Sequence, residues 1–286
     1  MNWFKLLGVV VAAGASVAVG ACSSSSDNNS SDGGTTGGDG GTTADGGGGG
    51  DGGTTSGAPY SGQILLAVTK GKAAGSASFQ KASADTVHCQ TSESGPCHVT
   101  ICPDSQGDED GGAPLSAGTI TIAGGSAPLK LELSDVSAVY QSSQTDVTFT
   151  AGATATVSAT GGDVPAFDGK TAKVPADITV GTDYATIDYT KDMTVTWTGG
   201  TDGKVGVTLV AADTSIATIA CTFDASAGTG TIPKAAFASF PKCDDASTAI
   251  CTYSIGPIAT TQFTAGDYGI TFTATGNGKI GTYTTP

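Results

Sequence analysis

The stretch Asp192-Met193-Thr194-Val195-Thr196-Trp197-Thr198-Gly199-Gly200-Thr201-Asp202-Gly203-Lys204-Val205-Gly206-Val207-Thr208-Leu209-Val210 decides the fold class. Successive side chains of an extended chain point to opposite faces, so Met193, Val195 and Trp197 share one face and Thr194, Thr196 and Thr198 the other. Gly199 to Gly203 supplies turn residues, after which Val205, Val207 and Leu209 resume the apolar face. The pattern predicts an antiparallel hairpin with one buried and one hydroxyl-covered face.

Similar short runs, bounded by Gly, Pro, Asp or Asn, extend in both directions. Gln63 to Thr69, Ser76 to Gln80, Cys97 to Cys102, Gly118 to Ala123, Lys130 to Leu133, Thr145 to Thr150 and Ala153 to Thr160 precede the hairpin. Ile216 to Phe223, Cys251 to Ile255 and Tyr268 to Thr275 follow it. Only Pro233 to Phe240 reads as helical, with proline at the first position and Phe237 and Phe240 one turn apart. Many short strands with solvated threonine faces predict an all-β fold, a single antiparallel β-sandwich (jelly-roll-like) over residues 58–286. A closed barrel is the alternative architecture. A membrane-spanning barrel is disfavoured, because lipid-facing strands need about 9 to 11 residues and aromatic girdles, whereas these runs are shorter and aromatic residues make up only 6% of the chain.

Composition narrows the partners. Acidic residues number 26 against 12 basic ones, and every basic residue is a lysine. With no guanidinium fork and a net charge of −14, nucleic acid is excluded as a partner. Charged residues make up 13% of the chain against roughly 25% in an average soluble domain. Thr, Ser, Gly and Ala fill the difference, which suits a secreted protein with a hydroxyl-rich surface.

The N-terminus carries an address. After Lys5, the uncharged run Leu6 to Val19 suits a signal-peptide core and falls short of the roughly 20 residues that span a bilayer. It ends in Val19-Gly20-Ala21-Cys22, which looks like a lipobox. Residues 1–21 are therefore expected to be a lipoprotein signal peptide, with Cys22 as the lipidated first residue of the mature chain. Residues 22–57 continue as a Gly/Ser/Thr/Asp linker whose only apolar side chain after Cys22 is Ala44, too little to offset the entropy of ordering. Such a coil reaches about 30 to 35 Å. The lipobox and linker, together with Gly162-Asp163-Val164-Pro165-Ala166-Phe167, Thr196-Trp197-Thr198-Gly199-Gly200 and Cys221-Thr222-Phe223-Asp224, resemble a group of predicted bacterial surface lipoproteins. The resemblance covers a small part of the chain and implies anchoring and a β-rich payload. It carries over no site residue, since no activity is assigned to the group. Ser23 stands where an aspartate would signal inner-membrane retention, which points to the outer membrane.

Six cysteines remain: Cys89, Cys97, Cys102, Cys221, Cys243 and Cys251, an even number in an exported chain and so a disulfide framework. Three lie in each half, so full oxidation requires an odd number of bridges between the halves. Cys97 and Cys102, about 16 to 17 Å apart on one strand, cannot pair. The expected bridges are Cys89 with Cys97 across a turn at Glu93, Cys243 with Cys251, and Cys102 with Cys221.

Few residues point to chemistry. His88-Cys89 and Cys97-His98 suggest zinc, but adjacent strand residues face opposite ways and no C-x-x-C knuckle is present, so disulfides with surface histidines are the preferred reading. Asp104, Asp108, Glu109 and Asp110 form an acidic cluster without EF-hand spacing, because Glu109 takes the glycine position and Leu115 the twelfth. An exposed loop is expected, with an irregular calcium site as the alternative; no other cofactor is implied. Ser78-Phe79-Gln80-Lys81 matches Ser-x-x-Lys but lacks the helix and companion motifs of that enzyme class. Asp183, Asp188 and Asp192, interleaved with Tyr184 and Tyr189, could line a sugar groove or merely face solvent. Trp197, by its alternation, belongs to the core beneath a second sheet. The expected function is non-enzymatic: binding, adhesion or envelope structure on a lipid anchor, with a glycan or an envelope protein as partner. An envelope polysaccharide hydrolase using Asp or Glu is the alternative.

Overall fold

The computed structural model describes residues 60–81, 89–102, 115–134, 139–212, 216–244 and 250–286. Its strands, in chain order, are β1 (Tyr60–Thr69), β2 (Lys72–Lys81), β3 (Gln90–Ser94), β4 (Cys97–Cys102), β5 (Ile120–Ala123) and β6 (Leu129–Leu133). There follow β7 (Tyr140–Ser142), β8 (Thr154–Ala159), β9 (Phe167–Lys173), β10 (Ile178–Val180), β11 (Met193–Gly199) and β12 (Lys204–Ala212). The last five are β13 (Ile216–Asp224), β14 (Thr229–Ile232), β15 (Ile250–Ala265), β16 (Tyr268–Thr275) and β17 (Lys279–Thr282). The fold is all-β, as the alternating runs require.

Fourteen strands join one sheet in the order β3-β4-β13-β12-β15-β16-β1-β2-β7-β6-β5-β8-β9, with β17 also on β15, and β10-β11-β14 form a second. The large sheet is mixed: β1 runs parallel to β16 over eight residue pairs, from Tyr60 opposite Tyr268 to Ala67 opposite Thr275. Apolar side chains gather in two cores instead of one. The first takes Ile64, Leu66 and Val68 of β1, Ile120 and Ile122 of β5, and Ile270 and Phe272 of β16. The second takes Val195 and Trp197 of β11, Val207 and Leu209 of β12, and Ile219 of β13. The 16-residue strand β15 serves both, giving Cys251, Tyr253 and Ile255 to the second core and Phe263 and Ala265 to the first.

The expected sandwich is thus confined to the second core, where the three-stranded sheet packs over the β4-β13-β12-β15 face. Around the first core the sheet curls until β9 meets β15 outside any backbone ladder. Thr261 Oγ1 donates to the Thr171 carbonyl at 2.6 Å, and the Phe167 and Phe263 rings lie 5.1 Å apart. This lobe is closer to the closed barrel kept as the alternative.

The expected hairpin at Asp192 to Val210 is corrected. Both strands form with the predicted alternation, but β11 pairs with β10 and β14, while β12 pairs with β13 and β15. Gly199, Gly200 and Gly203 adopt positive φ (81°, 65° and 87°), the region open to glycine at little cost. They carry the chain from one sheet over to the other. The two apolar faces then bury each other across the core, whereas a hairpin would leave both on the same side needing a third layer.

Pro257 sits where β15 changes partners. Its carbonyl accepts from Gly276 N at 3.1 Å, so its missing N–H faces the same edge, and the ladder breaks there between β16 and β17. The freed Asn277 backbone binds the second sheet instead. Its N–H donates to Asp177 Oδ1 at 2.8 Å and its carbonyl accepts from Ile178 N at 3.1 Å. Elsewhere Thr145 to Thr150 forms only an isolated bridge, Lys72 to Thr148. The expected helix reduces to a 3-10 turn, Lys234–Phe237, preceded by Pro233.

All six cysteines form disulfides: Cys89–Cys102, Cys97–Cys221 and Cys243–Cys251. One bridge joins the halves, in keeping with the parity argument, and Cys243–Cys251 is as expected. The other two expected pairs are corrected by register. β4 pairs with β13 so that Cys97 lies opposite Cys221, while β3 pairs with β4 so that Gln90 faces Ile101 and Cys89 comes beside Cys102.

Candidate functional site

The face of the large sheet opposite the second core is the most distinctive surface among the described residues. Side chains directly opposite in a ladder share a face. Since Cys97, Val99, Ala217, Ile219, Val207, Leu209, Cys251 and Tyr253 point into the core, their neighbours point outward. One outward row crosses six strands from β3 to β17: Thr91, Thr100, Thr218, Val210, Thr252 and Thr282. At the usual strand spacing it is about 24 Å wide. The next row holds Cys102, Ile216, Ala212 and Ile250. Ile216 and Ile250 are 44% and 63% exposed, and Ile280, on the same face, is 59% exposed.

Charges are confined to the margins of this face. On the β3 side, Glu93 Oε1 and His98 Nδ1 are 3.5 Å apart; at the far end of β12, Lys204 Nζ and Asp224 Oδ1 are 2.6 Å apart. Between them lie only hydroxyl, methyl and methylene groups. Threonine occupies such positions because its branched Cβ fits the pleat while its hydroxyl stays hydrated. The arrangement offers contact area and hydrogen bonds.

The carboxylates considered for sugar chemistry are bound to structural donors. Asp183 accepts from the Tyr253 hydroxyl at 3.0 Å and pairs with Lys279 at 3.4 Å; these contacts lower its pKa, the tyrosine bond foremost. Asp188 accepts from Lys191 Nζ at 2.6 Å and from the Thr190 hydroxyl and N–H. Its pKa is strongly lowered, mainly by Lys191. Asp192 accepts from Lys234 N at 2.8 Å and holds the 3-10 turn. A glycosidase acid requires a raised pKa, and the shifts of Asp183 and Asp188 run in the opposite direction. Tyr184 and Tyr189 are packed inward: Tyr184 edges onto Tyr253, and Tyr189 stacks on Phe237 at 4.7 Å. Burial raises the pKa of Tyr189 and, strongly, that of Tyr283, whose hydroxyl lies 3.0 Å from that of Tyr189.

Trp197 is 3% exposed, and its Nε1 donates to the Ala225 carbonyl at 2.8 Å, the expected core role. Ser78 lies on β2 among strand neighbours. His98 is exposed beside Glu93, on the opposite face of β4 from Cys97. His88, the Asp104–Asp110 cluster and Cys22 lie outside the described residues. Two shallow depressions, of about 380 and 170 Å³, contain a single carboxylate each, Asp146 and Asp168. Among the described residues no group of three or more His, Cys, Asp or Glu side chains could hold a metal ion, and no helix is long and apolar enough to cross a membrane. The three disulfides point to an oxidising, exported compartment. The outward row escaped the sequence reading because four of its strands pair with partners distant in the chain. No protein-family model matches the chain, and no curated protein matches it in sequence.

Proposed function

We propose that this chain is a lipid-anchored envelope protein that binds a partner through the outward face of its large sheet, in an adhesive or structural role. The supporting observation is the uncharged threonine and isoleucine surface on a chain of net charge −14. A highly acidic protein keeps such a surface clear of charge where it meets something uncharged, and hydroxyl rows with exposed apolar neighbours suit a glycan or the neutral patch of an envelope protein. Cys22 supplies the anchor in this reading, with the outer membrane as its site. Two or more acyl chains hold a protein on a bilayer where one is marginal.

Two measurements test this. Cys22→Ser should move the chain from the membrane fraction to the soluble one; retention after a salt wash refutes the anchor. The purified chain should be retained by cell-wall peptidoglycan or envelope polysaccharide. The double variant Thr218→Lys/Thr252→Lys, which places two charges in the outward row, should lose that retention. Equal retention of the variant refutes the proposed face.

A further inference from the structure

We infer that the domain is a tension-bearing module, with the β1–β16 ladder as a shear clamp and the Cys97–Cys221 bridge as a covalent bypass around β5 to β12. The residues preceding Tyr60 lead directly into β1. That strand is interior to the sheet, held by eight residue pairs to β16 on one edge and by ten to β2 on the other. Tyr60 aligns with Tyr268, which aligns with Ala265 at one end of β15. Thr282 aligns with Thr252 near the other end. The N-terminal side and the residues after β17 therefore emerge at opposite ends of β15, so a pull between them runs along the strands.

Geometry sets the consequence. A ladder pulled along its strands must break its hydrogen bonds together, whereas a hairpin pulled from adjacent ends opens one rung at a time. Forced unfolding is governed by the unfolding barrier, and the lengthwise geometry raises that barrier. Phe79, Ile64 and Ile270, buried along these strands, add side-chain interlock.

The disulfides decide what extends once the clamp yields. Cys97–Cys221 spans 124 residues, a loop containing β5 to β12, and with Cys89–Cys102 it diverts tension past nearly all of it. Only residues 60–89, 97–102, 221–243 and 251–286 lie on the tensioned path of the oxidised chain. Of the outward row, Thr91, Thr218 and Val210 stay slack, as does the arch to the second sheet, whereas Thr100, Thr252 and Thr282 lie on the tensioned path. This goes beyond the anchored-binding reading, and its test needs neither an anchor nor a ligand.

The test is single-molecule force spectroscopy on the full chain, with non-cysteine handles at Gly57 and Pro286 for lengthwise pulling and at Gly57 and Lys81 for unzipping. The lengthwise geometry should give the higher rupture force; an equal or lower force overturns the clamp. At about 3.3 to 3.6 Å per residue between the Gly57 and Pro286 handles, the oxidised chain should reach a contour length of about 310 to 340 Å and the reduced chain about 755 to 825 Å. Full extension without reductant overturns the bypass. Gln63→Pro, which removes one N–H from β1, should lower the lengthwise force while leaving both contour lengths unchanged.

Discussion

Removing the Cys97–Cys221 bridge should be the most damaging of the three disulfide deletions, and the margin can be worked out from the connectivity. Both sulfurs are buried, at 1% and 2% exposure, and the bridge closes a loop of 124 residues. In the chain-entropy treatment such a loop contributes about 5 kcal/mol at 25 °C, less any native strain. The Cys243–Cys251 loop has a separation of 8, and the same expression yields about 2.5 kcal/mol. A native domain has roughly 5–15 kcal/mol in total, so Cys97→Ala/Cys221→Ala removes a large share of the stability, and Cys243→Ala/Cys251→Ala a moderate one. Equilibrium unfolding in guanidinium chloride, followed by the fluorescence of Trp197, reads both. The long-loop variant should show the larger fall in midpoint. Its dependence on denaturant should steepen, because an uncrosslinked unfolded chain exposes more surface. A loss no greater than that of the short-loop variant would refute the argument that loop closure dominates.

Other expectations are simpler. Tyr140→Phe leaves the buried Ala117 N–H, now donating to the tyrosine oxygen at 2.8 Å, without an acceptor, and should cost about 1–3 kcal/mol in thermal or chemical unfolding. Trp197→Ala empties the space between the two sheets of the second core and should cost about 3–5 kcal/mol; a loss below 1 kcal/mol would contradict its burial. Asp183 and Asp188 have lowered pKa values in the folded state, so the stability they contribute is present above the unfolded carboxylate pKa of about 3.9 and is lost as pH falls below it. The double variant Asp183→Asn/Asp188→Asn should therefore flatten the acid side of the stability profile, and an unchanged slope would refute the assignment. The exposed loop expected from the sequence at Asp104, Asp108, Glu109 and Asp110 predicts a melting temperature indifferent to millimolar calcium, and a rise would mark a cation site.

Local alternation alone determined much of this protein. Met193, Val195, Trp197, Val205, Val207 and Leu209 are buried, as their period of two requires, because a strand that shows one face to water must place its apolar residues on the other. Strand existence was legible wherever that alternation was strong, at β1, β4, β13 and β16. It was illegible at β3, whose Gln90-Thr91-Ser92-Glu93-Ser94 is polar on both faces, and at the short strands β7 and β10, which have too few residues to show a period. The cysteine count required an odd number of bridges between the halves, a matter of arithmetic.

Pairing belonged to the tertiary structure. Alternation specifies which face a residue takes and carries no information about which strand lies beside it, so Gly199 to Gly203 read equally well as a hairpin turn or as an arch between sheets. Only the mutual burial of β11 and β12 across the second core selected the arch. The partners of Cys89, Cys97 and Cys102 followed from the register of β3, β4 and β13, in which a shift of one residue would have turned the sulfurs to the opposite face. The uncharged outward face was dispersed in the sequence as single threonines far apart. It became a surface because the ladder sets Thr100, Thr218, Val210, Thr252 and Thr282 side by side, through contacts whose long loop closures no local pattern encodes.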